Sequence, residues 1–270
     1  MSSATSTSLK SLFVEPAHKP SDRRQWNDLH GAAAALAIIS AAEAYDGLTI
    51  ILANSAKSAA TLENELSFFS TDSEALPILH FPDWETLPYD LFSPHQDIIS
   101  ERLATLYRLP KLRKGILVVP VTTAMHRLAP PDFVAGNSFI YKVGETLDIN
   151  ALRQQLQLAG YRSVDTVHEH GEYAVRGALI DVYPMGSNLP IRIDLFGDEI
   201  ETLRSFDPET QRTAEKVTEI ELLPGREFPH SDIGIKHFLD HWHQQFDVDP
   251  RACQIYQDIK SGMLPNGIEY

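Results

Sequence analysis

The sequence has very little cysteine and no long apolar run. A single cysteine, Cys253, leaves no partner for an internal disulfide and too few thiolates for a cysteine-based zinc site. No uninterrupted apolar stretch approaches the length of a membrane-spanning helix, and no basic region followed by an apolar core signals export. These absences predict a cytoplasmic protein that has no membrane partner.

Positive charge is also scarce. The chain has 23 Lys and Arg against 37 Asp and Glu, so its formal net charge is -14. Binding to a phosphate backbone needs clustered Lys and Arg, so this balance argues against the whole chain being an independent nucleic-acid binder. At 270 residues, with 43% hydrophobic residues, the chain is long enough for two globular domains.

The first half of the sequence contains several stretches that favour helices. Residues 1–20 are rich in Ser and Thr and predict a flexible segment, whereas residues 25–30 predict a short amphipathic helix. Residues 31–45 are apolar around most of the helix circumference and predict a buried helix. Residues 55–69 have apolar positions at helical spacing and predict a second helix.

Strand-forming runs alternate with these helices. Residues 48–53 form a continuous apolar, β-branched run, which is typical of a strand buried on both faces of a parallel sheet. Residues 78–81 and 115–121 predict two further strands. This alternation of strand and helix predicts an open parallel sheet with helices packed on both sides.

The second half has shorter elements and more turn signals. Residues 148–159 predict an amphipathic helix with Asp148 or Asn150 as its N-cap and Gly160 as its stop. Residues 171–213 predict an antiparallel meander, whose period-two pattern sends Arg192 and Asp194 outward.

The residues that follow the meander extend the prediction to the end of the sequence. Residues 217–223 predict a return to the first domain, and residues 231–246 and 250–263 predict helices. Because the sequence ends at residue 270 without a stop signal, we expect a fragment of a longer protein.

The meander carries an ordered set of motifs: Val-Arg-Gly, Ile-Asp-Val-Tyr-Pro, Arg-Ile-Asp-Leu-Phe-Gly-Asp-Glu-Ile-Glu and Phe-Asp-Pro-Glu-Thr-Gln-Arg. This order resembles the damage-recognition domain shared by UvrB and Mfd-type bacterial transcription-repair coupling factors. Residues 81–103, which begin Phe-Pro-Asp-Trp-Glu-Thr-Leu-Pro-Tyr, resemble the coupling-factor version. The resemblance covers nearly the whole chain after about residue 22.

The resemblance implies an α/β fold with two domains. A degenerate UvrB-like nucleotide-binding domain with a parallel sheet is expected at residues 21–127 and again at residues 214–270. A smaller α+β domain that binds UvrA is expected as an insertion at residues 128–213.

The UvrB-like domain lacks the residues of a phosphate-binding loop. Such a loop needs glycines that let backbone amides wrap phosphate, a Lys for the β and γ oxygens, and a Ser or Thr for magnesium. Here Gly31 is followed by four alanines at residues 32–35. We therefore expect no cofactor and no ATP hydrolysis in this chain; the family implies ATP and Mg²⁺ only for translocase domains outside it.

An island of arginine stands out in this acidic chain. Its members are Arg153, Arg162, Arg176, Arg192, Arg204 and Arg212. Arginine next to aromatic residues is typical of protein–protein anchors. The resemblance implies that UvrA is bound by Arg176 in Val-Arg-Gly and by Arg192 and Asp194 in Arg-Ile-Asp, with Arg162 and the edge residue Tyr183 as further contacts.

The family also implies partners beyond UvrA. A C-terminal domain of the full-length protein is expected to mask the UvrA-binding face. RNA polymerase and DNA are expected to bind regions outside these 270 residues.

A metal site is one alternative function for the second half of the sequence. His168, His170 and Glu172 alternate in sequence and would share one face of a strand, but no second cluster of ligands at fixed spacing accompanies them. A solvated or hydrogen-bonded strand face is the favoured interpretation.

Other chemistry-bearing residues also have plain interpretations. The carboxylates at the predicted Gly-Asp turn are interpreted as solvated charges and not as a catalytic pair: Asp198, Glu199 and Glu201. Trp84 and Tyr89 are interpreted as residues that pack an ordered loop.

We therefore predict a non-catalytic recruitment module. A structural or autoinhibitory module for the translocase domains is the main alternative. A UvrB-type ATPase and a nuclease-like hydrolase are disfavoured, because the first lacks its phosphate loop and the second has only generic carboxylates.

Overall fold

The computed structural model describes residue 19 and residues 21–70, 74–87 and 90–269. Apart from residue 19, the segment 1–20 predicted as flexible lies outside the described residues, and so does Tyr89. The α-helices are α1 (Ala33–Ala44), α2 (Ala56–Phe69), α3 (Gln96–Arg108), α4 (Val121–Ala124), α5 (Pro131–Gly136), α6 (Ile149–Ala159), α7 (Asp232–Gln245) and α8 (Gln254–Lys260). The strands are β1 (Leu48–Ala53), β2 (Ile78–His80), β3 (Gly115–Pro120), β4 (Phe139–Lys142), β5 (Arg162–Ser163), β6 (Glu172–Arg176), β7 (Leu179–Val182), β8 (Ile191–Phe196), β9 (Glu199–Phe206), β10 (Thr213–Val217) and β11 (Glu219–Leu222).

The chain is a mixed α/β protein, as predicted, and divides into two compact units. Unit 1 comprises Met1–Asp83 and Lys111–Met125, and unit 2 comprises Trp84–Pro110 and His126–Tyr270. This division differs from the boundaries drawn from the sequence, which assigned α3 and everything after residue 213 to the first domain. Two contacts within unit 2 explain the difference: β11 pairs with β4, and Leu103 of α3 belongs to the same apolar cluster as Ile193 of β8.

Unit 1 contains the predicted parallel sheet. Its strand order is β1-β3-β2, and both strand pairs are parallel. Helices α1 and α2 pack on the face that carries Ile116 and Val118 of β3. The prediction that β1 is buried on both faces is wrong, because Ile50 is 59% exposed and Leu52 is 61% exposed. β1 is an edge strand, and a continuous apolar run does not show whether both of its faces are covered.

The short helix predicted at residues 25–30 is absent. Residues 22–30 are described without helix or strand. Asp28 has φ +59° and Ser21 has φ +79°, which is the left-handed region that a helix cannot propagate through. Amphipathic spacing over only six residues is too weak to outweigh this backbone conformation.

Unit 2 is organised around a six-stranded sheet with the order β10-β9-β8-β7-β6-β5. Strands β6 to β10 are antiparallel, which confirms the predicted meander, and β5 joins β6 in parallel. Helix α6 packs on one face of the sheet through Leu152 and Leu156. The predicted ends of α6 are confirmed: the Asp148 side chain accepts hydrogen bonds from the first-turn N–H groups, and Gly160 closes the helix at φ +97°.

Candidate interaction face of the six-stranded sheet

One face of the six-stranded sheet packs on the main core of unit 2, and the opposite face carries charged side chains beside a smaller apolar cluster. Ile191 and Ile193 of β8 lie in the core of unit 2. The alternate residues of β8, starting with Arg192, therefore lie on the opposite face, which we call the outer face. Residues directly paired across antiparallel strands share a face, so the pairing assigns these side chains to the outer face: Ala174, Arg176, Leu179, Asp181, Arg192, Asp194, Phe196, Glu199, Thr202, Arg204 and Lys216.

A buried carboxylate holds two arginines on this face. Asp181 is 1% exposed and lies directly opposite Arg192. Arg192 donates from Nε and Nη2 to the two oxygens of Asp181, at 2.7 and 2.9 Å, and Arg176 donates to the same carboxylate. The Arg192 guanidinium also lies 4.9 Å from the ring centre of Phe206. These hydrogen bonds to Asp181 raise the pKa of Arg192, and the shared carboxylate holds both arginines in place.

A second ion pair lies at the β5 edge of the sheet. Arg162 donates to Glu172, whose side chain is almost fully buried. The other oxygen of Glu172 accepts the N–H groups of His168 and Glu169 at 2.8 and 2.9 Å. Burial alone would raise the pKa of Glu172, but these donors outweigh it and hold the pKa below its ordinary value. Glu172 thus fixes the loop that precedes β6, and Arg162 keeps 66% of its side chain exposed.

Tyr183 lies beside these charges in a packed environment. Its ring centre is 4.0 Å from that of His170, and its hydroxyl donates to the carbonyl oxygen of Asn188 at 3.1 Å. His170 is itself held on both sides, with Nδ1 2.7 Å from Asp97 Oδ1 and Nε2 2.8 Å from the Ser187 carbonyl oxygen. Burial, and then the charge of Asp97, raises the pKa of Tyr183. Tyr183 is only 9% exposed, so its main role is to pack at the edge of the outer face, and little of it is accessible to a partner.

The far end of β8 exposes an aromatic side chain. Phe196 lies on the outer face two residues beyond Asp194, next to the turn at Gly197, and is 79% exposed. Asp194 is half-buried and pairs in register with Thr202 and Leu179. An exposed ring on the same face as fixed arginines has the composition of a protein–protein anchor.

The structure brings the five predicted residues to the outer face or its edge: Arg162, Arg176, Tyr183, Arg192 and Asp194. Sequence reasoning missed Asp181 and Phe196. The signal for Asp181 was an acid inside an otherwise apolar strand, which indicates a buried pair. The signal for Phe196 was its position in the outward phase of β8.

The alternative metal site is not formed. His168 and His170 lie in the loop before β6 and do not share a strand face with Glu172. In the described parts of the chain, no group of three or more His, Cys, Asp and Glu side chains is arranged to hold a metal ion.

The residues of the predicted degenerate loop in unit 1 form a plain turn. Gly31 has φ +55°, and α1 begins two residues later with Ala32 as an N-cap that makes no side-chain hydrogen bond. Trp84, in contrast, is 4% exposed and donates to Glu227, as expected of a packing residue. None of the helices in the described ranges combines the length and apolar character needed to cross a membrane.

Comparison with known proteins adds two similarities. Residues 140–228 match the family described as the UvrB interaction domain, and this range contains every residue of the outer face. The chain is also 48% identical over 252 residues to a transcription-repair-coupling factor of Escherichia coli K12, which covers 93% of this chain and 22% of that protein.

Two further relatives are also longer proteins that this chain matches over only one part. A transcription-repair-coupling factor of Haemophilus influenzae Rd is 45% identical over 265 residues, or 97% of this chain and 23% of that protein. One of Myxococcus xanthus is 34% identical over 175 residues, or 63% of this chain and 15% of that protein. The chain spans less than a quarter of the length of the curated relatives that it matches.

Proposed function

Because this chain belongs to the family of transcription-repair-coupling factors, we propose that it is a non-catalytic recruitment module whose outer face binds the excision-repair protein UvrA. The observation that carries the proposal is the arrangement on this face, where Asp181 holds Arg176 and Arg192 and the exposed ring of Phe196 lies further along β8 on the same face. All of these residues lie within the range that matches the UvrB interaction domain.

The physical properties of the face support a binding role. A guanidinium that is already held in place loses little rotamer freedom on binding, so its remaining donors contribute more to affinity. Arg176 keeps 48% of its side chain exposed while it contacts Asp181. An aromatic side chain and preorganised arginines are the residue types that dominate binding energy at protein interfaces.

If this chain is a recruitment module, other parts of the full-length protein carry the remaining activities of the family. RNA polymerase binding and ATP-driven movement on DNA would belong to regions outside this chain, and the module would bring cytoplasmic repair proteins to a stalled polymerase. A C-terminal domain of the full-length protein would compete for the outer face, so the isolated chain would bind UvrA more tightly than the full-length protein.

The direct test is a calorimetric titration of UvrA with this chain and its variants. We expect Phe196→Ala and Arg176→Ala each to weaken binding about tenfold, as removal of an anchor residue does. The double variant Arg176→Ala with Arg192→Ala should abolish binding, but it also leaves Asp181 buried without a partner and so destabilises the sheet.

Phe196→Ala avoids that difficulty, because its side chain is exposed and packs little in the free chain. Arg153→Ala, on the exposed side of α6, is the matched control and should bind as the wild type does. Affinities within about twofold of wild type for both Phe196→Ala and Arg176→Ala would show that another surface binds UvrA. No binding by the wild-type chain would favour the structural or autoinhibitory role.

A further inference from the structure

The positive charge of the outer face continues beyond Arg192. Arg192 of β8 pairs in register with Arg204 of β9, and Arg204 pairs with Lys216 of β10. Side chains directly opposite each other in antiparallel strands have Cβ atoms about 4.5–5.5 Å apart. Three cationic side chains therefore lie in one line across three adjacent strands, which we call the cationic row.

The buried carboxylate of Asp181 forms an ion pair with only one end of the cationic row, at Arg192. Asp181 accepts from Arg176 and Arg192, and it is 1% exposed, so little of it is left for other partners. No ion pair of Arg204 or Lys216 occurs within the described chain. Asp194 is the acid of β8 on the outer face, and it lies beyond Arg192 along the strand, opposite Thr202.

Repulsion between the side chains of the cationic row destabilises the free chain. Like charges directly opposite each other on a sheet destabilise the strand pair. The chain has a net charge of -14, so three aligned cationic side chains on one sheet face are not a consequence of composition. An anionic surface laid across the row would remove this repulsion and gain charge-assisted hydrogen bonds.

We propose that Arg204 and Lys216 extend the docking face across β9 and β10, and that the cationic row accepts a strip of Asp and Glu side chains on the partner protein. The proposal rests on the proposed function, since it describes the chemistry of the partner that binds this face. It adds two contact residues and requires the partner's surface opposite β9 and β10 to be acidic.

The occupant is an acidic protein surface and not a nucleic acid. Binding to nucleic acid draws on many phosphate contacts, and a chain of this net charge repels a long polyanion. Leu179 and the exposed Phe196 lie on the same face, further along β7 and β8 from the row, and apolar contacts of this kind suit a protein partner. Arginine binds carboxylates in a bidentate geometry, as Arg192 already does with Asp181.

The test is a titration of UvrA with the chain at about 50 mM and about 300 mM salt. The variant Arg204→Gln with Lys216→Gln removes two charges that have no ion pair in the described chain, so its fold should be unchanged. We expect it to bind about fivefold more weakly at low salt and to show a shallower salt dependence than wild type. The matched control Arg153→Gln with Lys236→Gln changes the net charge equally at exposed positions on α6 and α7 and should bind as wild type does.

The outcomes separate this inference from the proposed function. Wild-type affinity and salt dependence in the variant Arg204→Gln with Lys216→Gln would overturn the inference and leave UvrA binding intact. Equal weakening in the control would also overturn it, because the effect would then be one of net charge. A variant of the row that loses affinity for a DNA duplex but not for UvrA would overturn it as well and assign the row to nucleic acid. No UvrA binding by wild type would overturn the proposed function, and the inference with it.

Discussion

At the scale of single residues, this protein uses buried carboxylates to hold arginines in place. Asp181 and Glu172 are almost fully buried, and each binds at least one arginine that reaches the outer face or its edge. A buried charge is tolerated only when it is paired and hydrogen-bonded. The arginines therefore compensate these acids, and under the proposed function they would also present their remaining donors to a partner.

The hydrogen bonds of Glu172 predict a specific pH dependence. Its folded-state pKa lies below its ordinary value, so its contribution to stability is complete above the unfolded-state pKa and is lost as pH falls through the folded-state pKa. We expect Glu172→Gln to lower the free energy of unfolding by about 1–3 kcal/mol at pH 7. The difference from wild type should shrink below about pH 4, as measured by urea denaturation at several pH values.

Glu169 provides the control for this prediction. Its carboxylate is 54% exposed and lies 3.5 Å from Arg162, so Glu169→Gln should change stability little at any pH. A Glu172→Gln variant whose stability difference from wild type does not shrink as the pH falls below about 4 would mean that the Glu172 carboxylate is not stabilised in its charged form.

At the scale of elements, the helix that would cradle phosphate in unit 1 lacks the necessary groups. Helix α1 starts at Ala33 after a turn at Gly31, and its first turn supplies neither a lysine nor a hydroxyl group. A helix N-terminus offers backbone N–H groups to an anion, but a nucleotide triphosphate site also requires a cation and a magnesium ligand.

We therefore expect no nucleotide binding by this element. A calorimetric titration with ATP and Mg²⁺ should give no heat of binding in the micromolar range, with a functional phosphate-loop ATPase as the positive control. Micromolar binding that Gly31→Ala abolishes would contradict the prediction and restore a nucleotide site at this turn.

At the scale of the whole molecule, a buried network joins distant parts of unit 2. Arg102 of α3 is fully buried and donates to Glu227 from Nε and Nη2, at 2.5 and 3.0 Å. Trp84 donates to the same carboxylate at 3.2 Å, and the guanidinium lies 4.6 Å from the centre of a Trp84 ring. In sequence, Arg102 lies 125 positions before Glu227, and Trp84 lies 143 positions before it. These long-range contacts explain why the segment around α3 belongs to this unit.

Removal of one charge from this network should destabilise the protein strongly. Glu227→Ala removes the carboxylate that compensates the buried Arg102 guanidinium, and we expect a loss of about 3–5 kcal/mol in the free energy of unfolding. The double variant Arg102→Met with Glu227→Leu should be less destabilised than Glu227→Ala alone, because the buried guanidinium is removed together with its carboxylate. Urea denaturation of the three proteins measures both effects.

An exposed ion pair is the comparison for this network. Arg113 and Asp46 form one at 2.8 Å with both side chains mostly in solvent, so Asp46→Ala should have a much smaller effect. A double variant of Arg102 and Glu227 that is less stable than Glu227→Ala would show that the network contributes more than the avoidance of a lone charge.

The sequence by itself determined the local elements and the candidate contact residues. The period-two pattern predicted β8 and the outward direction of Arg192 and Asp194, and Asp148 and Gly160 marked the ends of α6, because these signals depend on neighbours within a few positions. The ordered motifs of the meander indicated the family without any structure.

Only the tertiary structure decided how these elements combine. It showed that Asp181 holds Arg176 and Arg192, that Arg204 and Lys216 continue their row, and that Ile50 and Leu52 are exposed on β1. It also assigned α3 and β11 to unit 2. Strand register and burial arise from contacts between residues far apart in sequence, and no local periodicity carries that information.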